Sequence, residues 1–184
     1  LNRLIILYVS LKPYMTNAIT NLHIIKKKIL SKELLLRQIA IWRMKDYRIV
    51  FSNGCFDILH PGHIDYLSKA SDLGDILIIG LNSDFSVKQL NKGFNRPIQN
   101  QNDRALILSS IQFIEAITIF EEDTPYELIK AVQPDVLAKG GDWKEADIIG
   151  ADIVKAKGGS VVSIPFVEGY STTNIEARIK GTGS

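Results

Sequence analysis

Short apolar runs alternate with amphipathic stretches along most of this 184-residue chain. The runs are rich in Ile, Val, Leu or Phe and show no polar alternation, which is typical of strands buried on both faces. We predict strands at residues 48–51, 76–81, 116–120, 136–138 and 161–164. Windows with the helical spacing of apolar residues lie between and after them, at 62–73, 84–91, 102–112, 124–132, 145–157 and 173–180.

This alternation of strands and helices predicts the α/β class. A strand, a helix and a second strand in succession form a parallel pair with a right-handed crossover. We therefore expect a doubly wound, five-stranded parallel sheet of the Rossmann-like type. Ligands bind such sheets beyond the carboxyl ends of the strands, so the site residues are expected in the segments that follow each strand.

The region before the first strand is predicted to be an extension. Residues 21–43 have mostly helical spacing of apolar side chains. Lys26–Lys28 is interpreted as a solvated helical face rather than a phosphate site. The apolar run at 4–11 is too short to cross a bilayer, and we expect Met15 to be the natural start. The chain is thus divided into an extension at 1–45, one domain at 46–180 and a flexible tail at 181–184.

Composition narrows the class of protein without defining it. With 46% hydrophobic and 23% charged residues, the chain is neither disordered nor a fibrous repeat. A net charge of +2, without a basic stripe interleaved with aromatic residues, gives no support for a nucleic-acid partner. The single cysteine, Cys55, excludes an internal disulfide and a cysteine-rich zinc site. We expect a cytoplasmic protein with no membrane partner.

The segment after the first predicted strand, residues 52–63, has the features of a phosphate site. Pro61 suits the first position of a helix and directs His60 towards an extended, cap-like conformation. His63 then lies in the first helical turn near His60, and Gly62 leaves the backbone between them accessible. The free N–H groups and the positive end of the helix favour an anion. The imidazoles add donors that can become cationic as phosphate charge develops.

Other interpretations of this histidine pair explain less of the pattern. A zinc site would find only His23 as a third histidine, and His23 lies in a basic helix. Incidental surface histidines, with Asp57 as a capping residue, would leave the remaining positions unexplained. The full string is Gly54-x-Phe56-Asp57-x-x-His60-x-Gly62-His63, between a strand and a helix. It resembles the signature of the nucleotidylyltransferase superfamily that includes the small cytidylyltransferases, which implies a sheet of strand order 3-2-1-4-5.

A second motif precedes the last predicted helix. The segment Gly169-Tyr170-Ser171-Thr172-Thr173 resembles the superfamily motif that binds the outer phosphates of a nucleotide. Thr173 with Glu176 also has the spacing of a capping box, so part of the motif serves equally to begin a helix. Glu176 stands where many members carry a basic residue. Hydroxyl and amide contacts, rather than a charged contact, are therefore expected from this helix.

Further motifs extend the resemblance to roughly residues 45–180 and to the adenylyltransferase domains of ADP-heptose synthases. Among them are Leu81-Asn82-Ser83-Asp84, Pro134-Asp135-Val136-Leu137 and Gly150-Ala151-Asp152-Ile153-Val154. The resemblance implies transfer of AMP from ATP, accompanied by Mg²⁺, to D-glycero-β-D-manno-heptose 1-phosphate, with release of pyrophosphate. The 45 residues before the first strand are too few for the ribokinase-like kinase of the bifunctional form. We therefore expect a stand-alone enzyme served by a separate heptose kinase, with a homodimer as one option.

Two alternatives stay open at this point. A cytidylyltransferase that acts on glycerol 3-phosphate or another polyol or sugar phosphate would use the same phosphate machinery. A non-catalytic nucleotide-binding module would bind ATP without turning over any acceptor.

The resemblance implies three groups of site residues and no fixed protein ligand for a metal. The catalytic group is His60, His63, Lys88 and Lys92, the two lysines lying four apart on one face of a short helix. Asp57 and Arg104 are expected to contact the acceptor substrate. Trp143, beside the fourth-strand loop, is explained equally well by packing. The nucleotide and phosphate group is Asn53, Gly54, Cys55, Phe56, Gly62, Lys139, Gly140, Gly141, Asp142, Ser171, Thr172 and Thr173.

Overall fold

The computed structural model describes residues 20–90, 96–167, 169–179 and 181. Within these ranges the strands are β1 (Ile49–Gly54), β2 (Ile76–Asn82), β3 (Ala116–Phe120), β4 (Val136–Gly140) and β5 (Ser160–Ile164). The helices are α1 (Asn21–Lys26), α2 (Lys32–Arg43), α3 (Pro61–Ser71), α4 (Asp84–Gln89), α5 (Gln101–Ser109), α6 (Tyr126–Val132), α7 (Ala151–Ala156) and α8 (Thr172–Ile179). A short 3-10 helix covers Glu145–Asp147. No helix in the described ranges is both long and apolar enough to span a membrane.

The five strands form one parallel sheet in the order β3-β2-β1-β4-β5, which confirms the predicted fold class and strand order. The chain moves outward from β1 to β2 and β3, then returns to the other side of β1 to form β4 and β5. The order therefore reverses between β1 and β4. That reversal opens a crevice at the carboxyl ends of these two strands.

The sheet is buried on both faces, as the continuous apolar runs predict. Side chains of one face, including Ile49 and Phe51, pack with α2, α6 and α7. Side chains of the other face, including Val50 and Leu77, pack with α3 and α5. Because successive side chains of a strand point to opposite faces, one strand contributes to both cores.

Two helical windows differ from the prediction. The window at 145–157 is divided into the 3-10 helix and α7, because Gly150 between them has φ 88° and so leaves the right-handed helical region. The window at 21–43 is divided into α1 and α2. Between these helices the N–H of Leu30 donates to the carbonyl of Ile117, and the N–H of Ile117 donates to that of Lys28, both at 2.8 Å. Pairing with the edge strand β3 thus replaces helical hydrogen bonds that local spacing would favour.

Candidate active site

A cleft of about 610 Å³ lies at the carboxyl ends of β1 and β4, where the strand order reverses. The loop after β1, the first turn of α3, the end of β4 and the segment entering α8 form its walls. Its lining residues are Asn53, Gly54, Cys55, Phe56, Asp57, His60, His63, Tyr66, Val87, Arg96, Lys139, Gly140, Trp143, Phe166, Tyr170, Ser171 and Thr172. A larger and mostly apolar groove of about 810 Å³ follows the outer face of α3, but it contains only His60 of the predicted site residues.

The two histidines lie side by side at the mouth of α3. His60 caps the helix in an extended conformation, with φ −144° and ψ 166°, and Pro61 begins the helix as predicted. The ring centroids of His60 and His63 are 3.9 Å apart. The Nδ1 atoms of both rings are buried, and neither has a hydrogen-bond partner among the described residues. Both rings line the cleft, so the hydrogen-bonding capacity of the pair is not used up by the protein.

The electrostatics of the cleft keep both imidazoles neutral at pH 7. Burial, followed by the neighbouring His60 ring, lowers the pKa of His63 to about 4. Burial also lowers the pKa of His60 below its ordinary value. An anion placed between the rings would act in the opposite direction, because a nearby negative charge favours the protonated form. The pair is therefore a neutral donor site that can gain charge when phosphate binds.

Two aromatic side chains hold the histidines in place. Phe56 meets His63 edge to face, with ring centroids 5.5 Å apart. Tyr170 stacks on His60 with centroids 6.4 Å apart and the rings 18° from parallel. A Cβ at Gly62 would lie 3.1 Å from both His60 Nδ1 and the Cβ of Tyr170, so a side chain there would crowd this stack. Gly62 thus allows the helix mouth and the segment before α8 to approach closely.

A buried tyrosine forms the floor of the cleft. The Tyr66 hydroxyl donates to the carbonyl of Ala138 at 3.3 Å and accepts a hydrogen bond from the Ser52 hydroxyl. Burial raises the pKa of Tyr66 to about 12, although the hydrogen bonds act against this shift. Its hydroxyl therefore remains a neutral group that connects β1 to β4.

Asp57 is fully occupied by protein donors. Its carboxylate accepts from Arg96 at 2.7 Å and from the backbone N–H groups of Ile98 and Gln99 at 2.9 Å. Burial alone would raise the pKa of Asp57, but the Gln99 and Ile98 amides and Arg96 together hold it below its ordinary value. Asp57 thus fastens the 96–99 loop to the loop after β1, and its contact with a substrate stays a prediction.

Arg104 lies beneath the cleft rather than on its wall. Its side chain is fully buried. The guanidinium donates to the carbonyl of Cys55 at 2.5 Å, to the carbonyl of Gln99 at 3.0 Å and to Asp84 at 2.7 Å. Arg104 therefore joins the loop after β1, the loop before α5 and the start of α4. Its contact with the substrate stays a prediction.

The β4 side of the cleft combines a cation with closely packed glycines. Lys139 Nζ lies 3.3 Å from Asn53 Oδ1. A Cβ on Gly140 would lie 2.8 Å from the Phe166 ring, and Gly141 has φ 113°. The indole N–H of Trp143 donates to the carbonyl of Gly140 at 3.0 Å. This bond fixes Trp143 at the rim, where the side chain is half exposed.

Of the remaining predicted site residues, some line the cleft and others do not. Lys88 is exposed on α4 and does not line the cleft, and Asp142 is likewise exposed beyond the end of β4. Lys92 lies outside the described residues. Ser171 and Thr172 line the cleft, and Thr173 follows in the first turn of α8.

Several cleft residues were not among those predicted from the sequence. Arg96 was visible as a basic residue before a proline, but nothing in the local pattern indicated that it pairs with Asp57 and Glu176. Tyr66, Phe166 and Tyr170 are aromatic residues whose spacing is equally typical of packing. The sequence gives no indication that they meet, because Tyr66 lies in α3 whereas Phe166 and Tyr170 lie in the connection between β5 and α8.

The reversal of the strand order beside the paired histidines agrees with the nucleotidylyltransferase superfamily that the sequence motifs resemble. A model of the family described as cytidylyltransferase-like matches residues 51–178, and the chain belongs to that family.

Curated relatives agree with this assignment. "Bifunctional protein HldE" of Wolinella succinogenes is 48% identical over 157 residues, which cover 85% of this chain and 32% of that protein. The protein of the same name from a Nitratiruptor species is 59% identical over 133 residues, covering 72% of this chain and 28% of that protein. The chain thus spans about a third of the length of the curated relatives that it matches.

A solved structure also resembles this chain. The lipopolysaccharide core biosynthesis protein from Thermoplasma volcanium GSS1 aligns with a TM-score of 0.55 and 28% sequence identity. The alignment covers 68% of this chain and 99% of that one. The similarity therefore extends over nearly the whole of the smaller protein.

Proposed function

We propose that this protein transfers the AMP group of ATP to D-glycero-β-D-manno-heptose 1-phosphate, which yields ADP-heptose and pyrophosphate. The observation that carries the proposal is the pair of imidazoles, His60 and His63, which line the cleft at the mouth of α3 with Nδ1 atoms that have no partner among the described residues. The motifs shared with ADP-heptose synthases support the choice of nucleotide and acceptor. The identity to relatives named HldE supports it further.

The reaction needs no protein nucleophile. A phosphate oxygen of the sugar phosphate attacks the α-phosphorus of ATP, a new P–O bond forms, and the bond to the β-phosphate oxygen breaks as pyrophosphate leaves. The barrier arises from bringing two anions together in line. Alignment can contribute on the order of 7–11 kcal/mol, and fixed donors stabilise the charge that develops on the leaving oxygen.

The cleft supplies such donors from three directions. His60 and His63 donate to the triphosphate and gain positive charge as phosphate charge accumulates. Lys139 contributes a cation from the end of β4, and the hydroxyls of Ser171 and Thr172 face the cleft at the start of α8. Lys88 and Lys92 remain proposed contacts of the α-phosphate and the acceptor phosphate.

Magnesium is proposed to arrive with ATP. The described residues include no group of three His, Cys, Asp or Glu side chains that could hold a metal ion. The Asp57 carboxylate accepts hydrogen bonds from Arg96 and from two backbone amides. With nucleotides, Mg²⁺ commonly takes phosphate oxygens and water as its main ligands, so the proposal needs no fixed set of protein ligands. Bound there, Mg²⁺ would neutralise part of the triphosphate charge.

A substrate panel tests the proposal. ATP and CTP are each combined with heptose 1-phosphate, glycerol 3-phosphate and other sugar phosphates, and pyrophosphate release is measured. We expect the highest kcat/KM for ATP with the heptose phosphate. A preference for CTP with glycerol 3-phosphate would show that the protein is the alternative cytidylyltransferase. ATP binding without turnover of any acceptor would instead indicate a binding module.

The acceptor also implies a supplier. A sugar 1-phosphate is produced by a kinase or phosphomutase reaction, and the resemblance to ADP-heptose synthases indicates a heptose kinase. We propose that this kinase is a functional partner of the present chain.

A further inference from the structure

The start of α8 forms one wall of the cleft but is weakly buried. Tyr170, Ser171 and Thr172 line the cleft. None of the α8 side chains that the structure describes is buried, and Ile179 at its end is 77% exposed. Apart from the stacking of Tyr170 on His60 just before the helix, apolar packing therefore contributes little to the position of α8. Another interaction has to hold the phosphate-facing end in place.

Glu176 supplies such an interaction. Its carboxylate lies one helical turn after Thr172 and 2.7 Å from the guanidinium of Arg96. The same guanidinium bonds Asp57 at 2.7 Å. The Arg96 side chain is 14% exposed, and its two partners are 5% and 24% exposed. A planar guanidinium that bridges two shielded carboxylates has a fixed orientation.

This bridge connects α8 to the histidine side of the cleft. Asp57 belongs to the loop between β1 and α3, three residues before His60. Arg96 thus joins that loop directly to α8. The position of Ser171 and Thr172 relative to the imidazoles is set in part by one ion-pair network.

We propose that Glu176 is a positioning residue: through Arg96 it holds the first turn of α8 where Ser171 and Thr172 can bind the phosphates of ATP. The inference rests on the proposed nucleotidyl transfer and deepens it. Glu176 itself makes no contact with ATP in this proposal, because its negative charge would repel phosphate. Its effect is transmitted through the orientation of the helix.

A purely electrostatic role would have the opposite sign. Glu176 lowers the positive potential of the cleft, so its neutralisation would tighten anion binding if charge were decisive. Water and salt screen a partly exposed charge. Loosening a helix that buries no described side chain would instead displace every phosphate donor in its first turn. We therefore expect that loss of the Glu176 charge weakens ATP binding.

The test uses Glu176→Gln, which preserves the shape of the side chain and removes its charge. We expect the Kd for ATP, measured by calorimetry without acceptor, and the KM for ATP to rise at least about fivefold. The KM for the heptose phosphate should change by less than about twofold. Glu176→Asp, which retains the charge, should recover part of the lost affinity. Glu145→Gln is the matched control, because its carboxylate pairs with Lys155 on an exposed surface.

A double-mutant cycle tests the path through Arg96. Arg96→Gln removes the guanidinium charge and with it the ion pairs to Asp57 and Glu176. In that background, Glu176→Gln should change the Kd for ATP by less than about a further twofold, because the pair is already broken. Full additivity would show that Glu176 acts independently of Arg96 and would overturn the proposed path.

The outcomes separate this inference from the proposed function. Unchanged or tighter ATP binding in Glu176→Gln overturns the positioning role. So does a lower Tm or kcat with an unchanged Kd for ATP, which would assign Glu176 to stability alone. If wild-type protein binds ATP but releases no pyrophosphate with the heptose phosphate, the proposed acceptor is wrong. The ratio of the Kd values for ATP of Glu176→Gln and wild type then still decides the role of Glu176. Wild-type protein that binds no ATP overturns both.

Discussion

The two helices that begin at the cleft are held in place by different means. α3, which carries the histidine pair, buries Gly62, Tyr66, Leu67 and Ala70. α8, which presents Ser171 and Thr172, buries no described side chain and is tied by an ion pair. Well-packed elements open rarely, whereas sparsely packed ones have low local stability. The comparison indicates that α3, which we call the rigid wall, holds the histidines by packing. α8, which we call the weaker wall, holds Ser171 and Thr172 in a position that depends on polar contacts.

The largest effect is expected on the free energy of unfolding, when the buried hydrogen-bond network of Arg104 is broken. Arg104→Met should lower the free energy of unfolding by about 3 kcal/mol, because it leaves the Cys55 and Gln99 carbonyls without their donor and removes the partner of Asp84. Urea unfolding measures this change. Arg178→Met, at an exposed position on α8, should stay within about 0.5 kcal/mol. A stable Arg104→Met protein with a raised KM for the acceptor would instead support the substrate contact expected from the sequence.

The histidines should have the next largest effect. His60→Ala and His63→Ala should each lower kcat roughly a hundredfold, or about 2.7 kcal/mol, since each removes a fixed donor to the developing charge. Steady-state pyrophosphate release gives the value. His23→Ala, at an exposed position on α1, is the control and should leave kcat unchanged. Full activity in both cleft variants would remove the basis of the proposed chemistry.

Lowering the pH should reduce the free energy of unfolding, because His63 resists protonation in the folded protein. Its pKa is about 4 in the folded protein and about 6.5 in an unfolded chain, so the unfolded state binds the proton first. The resulting stability is present above pH 6.5 and is lost as the pH falls towards 4. We expect a loss of about 2 kcal/mol over this window, which His63→Asn should remove. A wild-type protein equally stable across that pH range would show that His63 is not shielded.

The smallest expected effect is on the dynamics of the two walls. Amide hydrogens of α8 should exchange at least about tenfold faster than those of α3. Saturating ATP should slow exchange in α8 more than in α3, because bound phosphates add contacts to the weaker wall. Mass-spectrometric hydrogen exchange follows both segments in one sample. Equal protection in the absence of ATP would remove the distinction between the walls.

The sheet was predictable because its signals are local. Apolar runs at strand length predict β1 to β5, and the proline and glycine after β1 predict the start of α3. The structure then places His60 and His63 together at that start, because residues three apart on one helical turn are neighbours.

Interactions between distant segments could not be predicted in this way. The helical spacing at 21–43 continues through residues 28–30, yet pairing with Ile117 interrupts the helix there. Arg104 lies early in a helix, where the sequence pattern does not distinguish a substrate contact from a buried structural arginine. The Arg96 bridge joins three segments that no common periodicity relates. In each case the competing partner is supplied by the tertiary fold.

The contact of residues 28–30 with β3 has a consequence for shortening the chain. An open strand edge offers free N–H and C=O groups to any other strand, and proteins commonly cover such edges. Here the backbone of Leu30 and Lys28 occupies the groups of Ile117. A fragment that begins at residue 46 would retain the complete family-matched region but leave apolar β3 unprotected. Such a fragment is expected to self-associate and precipitate, so the practical N-terminal limit for expression lies before residue 28 rather than at the first strand.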